Sequence, residues 1–238
     1  MTSIRKTAVI AGVLYFITHV TSIAALVLYG TVLNHADYIT GSGPDTPVLL
    51  GAFLEVLLAL AVVGTAVTLF PVVKRHNEGV ALGYVGLRTV EAGVIAVGVV
   101  PLLAIVTLRQ NLTDGAGAIT VGRALVAFHN WTFLVGPDLV LGTNTVLLAY
   151  LLYRSGLVPR FIPVLGLVGG PLVFAGGAAQ LFGLFPQFSV GAAVTAVPVF
   201  AWEICLAVYL IVRGFRPTTD VGSTNRSATS SSASVVSM

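Results

Sequence analysis

The sequence predicts an all-α fold: a polytopic membrane bundle of six transmembrane helices with both termini in the cytoplasm. Three observations predict it. Hydrophobic residues make up 56 % of the 238 residues and charged residues only 9 %, where a soluble domain carries about 25 % charged residues. The mean hydropathy is +0.98. Six apolar stretches reach the ~20 residues that a helix needs to cross a hydrocarbon core. They cover about 7–30, 48–70, 80–108, 131–153, 161–183 and 191–213. Runs such as Val56–Val63 and Val94–Val100 are continuous rather than alternating, so helices fit better than barrel strands. Twelve basic and nine acidic side chains cannot coat a soluble globule. A lone cysteine, Cys205, excludes a disulfide scaffold.

Taken in order, residues 1–6 form a cytoplasmic N-terminus with Arg5 and Lys6 ahead of the first span. That span is too long for the roughly 7–15-residue core of a signal peptide. The loop 31–47 is rich in turn formers, with Gly41, Gly43, Pro44 and Pro47. Span 2 ends at Lys74 and Arg75, and span 3 carries Arg88 inside it. The outer loop after span 3 holds a glycosylation sequon, Asn111-Leu-Thr113. Gly136-Pro137-Asp138 leaves two readings open. It is a kink in one long helix that starts near Val121, or a helix start with proline in its first turn. In the second case residues 121–130 are a separate amphipathic segment and Asp138 sits shallow. Pro101, Pro171 and Pro198 fall within spans and predict local kinks. Residues 214–238 are a cytoplasmic tail, disordered from about 218, where Ser, Thr and small residues dominate.

Orientation follows from the basic residues. Nine of twelve lie on one side: Arg5, Lys6, Lys74, Arg75, Arg154, Arg160, Arg213, Arg216 and Arg226. Only Arg109 and Arg123 lie on the other. The positive-inside rule puts the basic side in the cytoplasm of a cell (plasma) membrane. The sequence pI of about 9.2 is mostly this bias, and no basic face on a soluble module points to nucleic acid.

Polar groups inside the spans carry the functional signal. A charge at mid-bilayer costs roughly 2.5–3.5 kcal/mol on insertion scales. Glu55, Arg88, Glu91 and Glu203 nevertheless lie within spans, with His19, His129, Asn130, Asn144 and Gln180. Arg88 and Glu91 are three apart, close enough for an ion pair on one helix face. Glu55 and Glu203 then lack an obvious cation, unless Arg88 is shared, a histidine is protonated or the acids stay neutral. The expectation is a polar pocket in the outer half of the bundle, handling a proton, an ion or a small polar or lipid ligand. The alternatives are a membrane-embedded enzyme acting on a lipid or isoprenoid with His129 or His19 as base, and a non-catalytic assembly protein. No His-Glu-x-x-His or paired histidines at helical spacing occur, so neither a metal nor a cofactor is expected. Gly79/Gly83 and Gly166/Gly170 are spaced for close helix packing, inside the monomer or in a homo-oligomer.

The segments LLGAFLEV (49–56), LFPVVKRHNEGVALGYVGLRTVEA (69–92), HNWTFLVGP (129–137), LLYRSGLVPR (151–160) and AWEICLAVYLIVRGF (201–215) add a further signal. In them the chain resembles the bacterial multi-pass membrane family catalogued as domain of unknown function 4386, from about Arg5 to Pro217. The resemblance implies six or seven membrane helices and no established activity. It places Glu55, Arg88, Glu91, His129, Asn144, Arg154, Arg160 and Glu203 on the family's recurring polar positions. The chain departs from the family's more usual residues at Asn130, where an aspartate is expected, and at Asp138, where a glycine is expected. Arg154 and Arg160, on the cytoplasmic side, form either a topology anchor or a clamp for a lipid phosphate. Membrane lipids are thus expected partners.

Overall fold

The computed structural model describes residues 3–35, 37–111, 117–187 and 189–217. The sequon's Leu112 and Thr113 and the tail from 218 lie outside the described residues. Among the described residues eight α-helices follow in order: α1 (Ser3–Leu28), α2 (Gly30–Asn34), α3 (Thr46–Val73), α4 (Glu78–Gln110), α5 (Ala118–Phe133), α6 (Leu141–Ser155), α7 (Phe161–Leu181) and α8 (Val190–Val212). A 3₁₀ turn, Tyr38–Thr40, follows α2, and a π-helical turn, Leu134–Val140, joins α5 to α6. Six helices among the described residues are long and apolar enough to cross a membrane: α1, α3, α4, the continuous α5–π–α6 helix of 38 residues, α7 and α8. No strand occurs among the described residues.

Local sequence explains the helix ends. Asn77 caps α4 by accepting from the Val80 backbone N–H at 3.0 Å, and Ser189 caps α8 through Ala192. Pro47 occupies the first turn of α3, where its missing N–H costs nothing. Gly156, with φ 65°, ends α6 in a backbone conformation that suits glycine. The last carbonyls of α8 are capped from across the bundle. Arg5 donates to Leu210, Ile211 and Val212, at 2.6 Å to Ile211. The Arg216 N–H donates to the Leu157 carbonyl at 2.8 Å. These bonds hold both described chain ends against the same end of the bundle.

The question left open at Gly136-Pro137-Asp138 is answered by the π turn. Residues 121–130 belong to the fourth spanning helix, and the separate-segment reading is overturned. Proline lacks an N–H and crowds the preceding turn, and a wider π turn accommodates it without ending the helix. The helix also continues through Pro101, Pro171 and Pro198.

The six spanning helices pack as a closed ring in the order α1, α3, α4, α5–α6, α7, α8 and back to α1. Each turns one stripe inward. On α4 the stripe is Tyr84, Arg88, Glu91, Ile95, Leu102 and Ile105, all buried, at the three- and four-residue steps of a helix face. The outward residues, such as Val90, Val97 and Val100, are exposed, as lipid-facing side chains are. Close approach depends on α7. A Cβ on Gly169 would stand 2.7 Å from the Val199 backbone nitrogen, and one on Gly166 would meet the Trp202 ring at 2.8 Å. The pair Gly166/Gly170 therefore serves packing within the monomer, and Trp202 is a packing residue. Gly79 and Gly83 are exposed, although a Cβ on Gly83 would come within 3.3 Å of Leu147 on α6.

The interior is layered. At the end holding the chain ends, an apolar core gathers Ala8, Leu69, Leu148, Leu152, Leu206 and Leu210. At the far end, Val32, Ile39, Val48, Leu102 and Ile105 form another. Leu58, Val62, Ala92 and Ile95 make a thin layer between.

Candidate functional site

The inward stripes place polar side chains on both sides of that thin layer. Nearer the chain ends lies a group centred on Arg88, which is 2 % exposed. Its Nη1 donates to both Glu91 oxygens, at 3.0 and 3.2 Å, one helical turn along α4. Its Nη2 reaches Glu203 Oε1 on α8 at 3.4 Å. Asn144 on α6 donates to Glu91 Oε2 at 2.6 Å. His19 Nε2 on α1 stands 3.5 Å from Glu203 Oε2. Tyr15 lies under the guanidinium at 5.4 Å, and its hydroxyl is 3.4 Å from that of Tyr84. Four helices thus contribute to one network, and a single guanidinium serves two carboxylates.

The hydrogen positions follow in part from geometry. His19 Nδ1 is 2.8 Å from the Tyr15 carbonyl, which only accepts, so Nδ1 carries a hydrogen. A neutral His19 would then aim the Nε2 lone pair at Glu203 Oε2. A second hydrogen, on either atom, removes that conflict. With it on Nε2, two cations face two carboxylates.

A cavity of about 160 Å³ opens onto this network. His19, Arg88, Glu91 and Glu203 supply its polar wall, while Leu58, Ile95, Phe133 and Pro137 supply apolar wall. Arg88 Nε is buried without a hydrogen-bond partner, although such groups are normally satisfied.

Beyond the thin layer lies a smaller group. Tyr29 donates to Glu55 Oε2 at 3.0 Å. His129 donates from Nδ1 to the Gly98 carbonyl at 2.8 Å and meets the Tyr29 ring edge-on at 5.4 Å. A Cβ on Gly51 would stand 2.6 Å from the Tyr29 ring, so glycine there lets the ring lie on α3 and reach Glu55 one turn later. Among the described residues, Glu55 forms no ion pair. The void here is about 10 Å³ and shares Leu58, Ile95, Phe133 and Pro137 with the larger cavity. The π turn sets Pro137 between the two groups.

The expected residues are therefore brought together as two sets rather than one. His19, Arg88, Glu91, Asn144 and Glu203 converge. Glu55 and His129 form the second set with Tyr29. The larger set lies near the mid-length of the helices, not in the outer half, because Glu91 and Glu203 both fall close to the middle of α4 and α8. Asn130 joins neither. It lines a cavity of about 300 Å³ at the far end with His35, Tyr38 and Arg123. Asp138 faces α7, where Gln180 Nε2 approaches it at 3.5 Å, so the two departures from the family pattern do not meet in one place. Arg154 and Arg160 stand apart at the end holding the chain ends, with Arg160 over the Tyr153 ring at 5.7 Å. Among the described residues, no three His, Cys, Asp or Glu side chains converge as metal ligands. Tyr15, Tyr29 and Tyr84 are partners that sequence reasoning missed. A buried tyrosine needs a partner for its hydroxyl, but six of the seven tyrosines fall inside the expected spans, so position alone did not single out these three.

A closed ring of six apolar helices around paired ionisable groups defines a polytopic integral membrane protein. Residues 10–214 match the family model described as Domain of unknown function (DUF4386), and the chain belongs to that family. No curated protein and no solved structure matches the chain.

Proposed function

We propose that the buried network of His19, Arg88, Glu91 and Glu203 takes up and releases a proton. In this reading the cavity beside it admits a small polar solute or an ion. The single observation that supports it is the His19–Glu203 contact. With His19 Nδ1 donating to a backbone carbonyl, Nε2 is left 3.5 Å from the Glu203 carboxylate, and the proposal places the exchangeable hydrogen on that pair. Gain or loss of that hydrogen changes the charge of a network with one guanidinium and two acids. Intramembrane ionisable groups that pair with one another mark proton relays and solute paths. An assembly protein with no ligand would need a collapsed core with every polar group paired. A cavity of about 160 Å³ and an unpartnered Arg88 Nε speak for the pocket instead. His129, the other candidate base, bonds a backbone carbonyl and not an acid, so the enzyme alternative is left with His19 beside Glu203. We also read the basic end of the bundle as cytoplasmic.

The test is proton entry into liposomes that carry the purified protein and a trapped pH-sensitive dye. Under an imposed pH gradient the wild type outpaces empty liposomes. His19→Gln and Glu203→Gln fall to the empty-liposome rate. Wild-type flux equal to that of empty liposomes, or full flux in both variants, overturns the proposal.

A further inference from the structure

A further cavity, at the opposite end of the helices from Glu55, has a different chemistry. It measures about 480 Å³ and lies between the first turn of α1, the last turn of α3 and the segment after α8. Arg75, His76 and Arg216 line it, and no carboxylate does. Among the described residues, neither guanidinium has a hydrogen-bond or ion-pair partner, and both side chains are exposed. Two cations placed around one hollow without an acid repel each other, an arrangement suited to an anion. Ile4, Val72, Leu157 and Phe215 give the rest of the wall an apolar part, beside the hydroxyls of Ser3 and Thr7. The backbone that frames it is fastened. Arg5 ties α1 to the end of α8, and the Arg216 N–H is bonded to Leu157. The cavity sits where apolar helix ends give way to basic residues, the level at which a bilayer presents its phosphates.

We propose that this cavity binds the phosphate of an anionic lipid headgroup. The Arg75 and Arg216 guanidiniums hold the phosphate oxygens, and the glycerol and upper acyl chain lie on Val72, Leu157 and Phe215. This site is separate from the Arg154–Arg160 pair and from the buried network, and it does not depend on proton handling.

The test uses the full chain in phosphatidylcholine nanodiscs doped with phosphatidylglycerol, with retained lipid counted by native mass spectrometry. The wild type keeps one phosphatidylglycerol in preference to phosphatidylcholine. Basic residues at an anionic surface contribute about 1 kcal/mol each, or roughly fivefold in affinity. Arg75→Gln and Arg216→Gln each weaken retention by about that factor. The double control Lys6→Gln/Arg213→Gln removes twice the charge of either variant from the same end without touching the cavity, and it leaves retention unchanged. Val72→Trp fills the cavity with no change of charge and also abolishes retention. An equal loss in the control, retention surviving Val72→Trp, or no preference for the anionic lipid overturns the site. Displacement of the lipid by free glycerol 3-phosphate at matched concentration overturns its assignment to a lipid source.

Discussion

Arg88 is the residue on which the buried network turns. It holds Glu91 at 3.0 Å and Glu203 at 3.4 Å from one nearly inaccessible guanidinium. Removing one partner of a buried ion pair costs about 3–5 kcal/mol, because the other charge is left uncompensated. Arg88→Gln is therefore expected to lower the unfolding temperature in detergent sharply, and Glu91→Gln/Arg88→Gln to recover part of the loss. Equal stabilities for Arg88→Gln and the wild type would contradict the network. Tyr29→Phe removes the donor to Glu55 and is expected to cost about 1–3 kcal/mol, the price of a buried acceptor left unsatisfied, read by the same thermal unfolding. At this scale the sequence was partly legible. The three-residue step from Arg88 to Glu91 announced an ion pair on one helix. The partners of Glu203 and Glu55 come from other helices, so spacing carried no trace of them. Tyr29 likewise carries no sign in the sequence that Gly51 makes room for its ring.

The elements divide between those that pack and those that position. Helix α7 packs: a Cβ at Gly169 would come within 2.7 Å of backbone on α8, which cannot move aside as a side chain can. Gly169→Ala is expected to cost about 1–3 kcal/mol through overpacking, checked by thermal unfolding. Gly86→Ala, with nothing within 4 Å of the added carbon, is expected to be neutral or slightly stabilising. The loop before α3 is fastened to the end of α4. Arg109 bonds Asp45 and the carbonyls of Gly41 and Gly43, and Tyr38 bonds Asp45. The hydrogen bond from Gln110, with those from Tyr38 and Arg109, holds the Asp45 carboxyl below its ordinary value of 3.8. A carboxyl with a lower value in the folded state stabilises above its unfolded value and loses that contribution as pH falls through the folded one. The wild type is thus expected to exceed Asp45→Asn in unfolding temperature at neutral pH and to match it in strong acid. A gap that widens in acid would reverse the sign. The loop's turn residues were evident from its glycines and prolines, but its fastening to Arg109 was not, because 64 positions separate the two partners. Likewise Gly136-Pro137-Asp138 admitted a kink or a helix start, since a proline in the first turn and a proline in a π turn share the same local sequence.

The whole molecule was the most legible scale. Six apolar runs and a low charge content are direct consequences of a bilayer acting as solvent, and they produce six spanning helices. The closed ring and the two-layer polar interior were not in the sequence, because single-helix patterns do not say which helices are neighbours. The proposal that the buried network exchanges a proton rests on that arrangement. The most direct measurement is the infrared difference spectrum of the protein in lipid between about pH 5 and pH 8, the range in which histidine changes charge. The protonated-carboxyl stretch and the imidazole ring bands are followed in the wild type, Glu203→Gln and His19→Gln. A carboxyl or imidazole band that changes with pH in the wild type and is lost or shifted in both variants is the predicted result. A spectrum in which neither band changes with pH, or one whose changes survive in both variants, would contradict it.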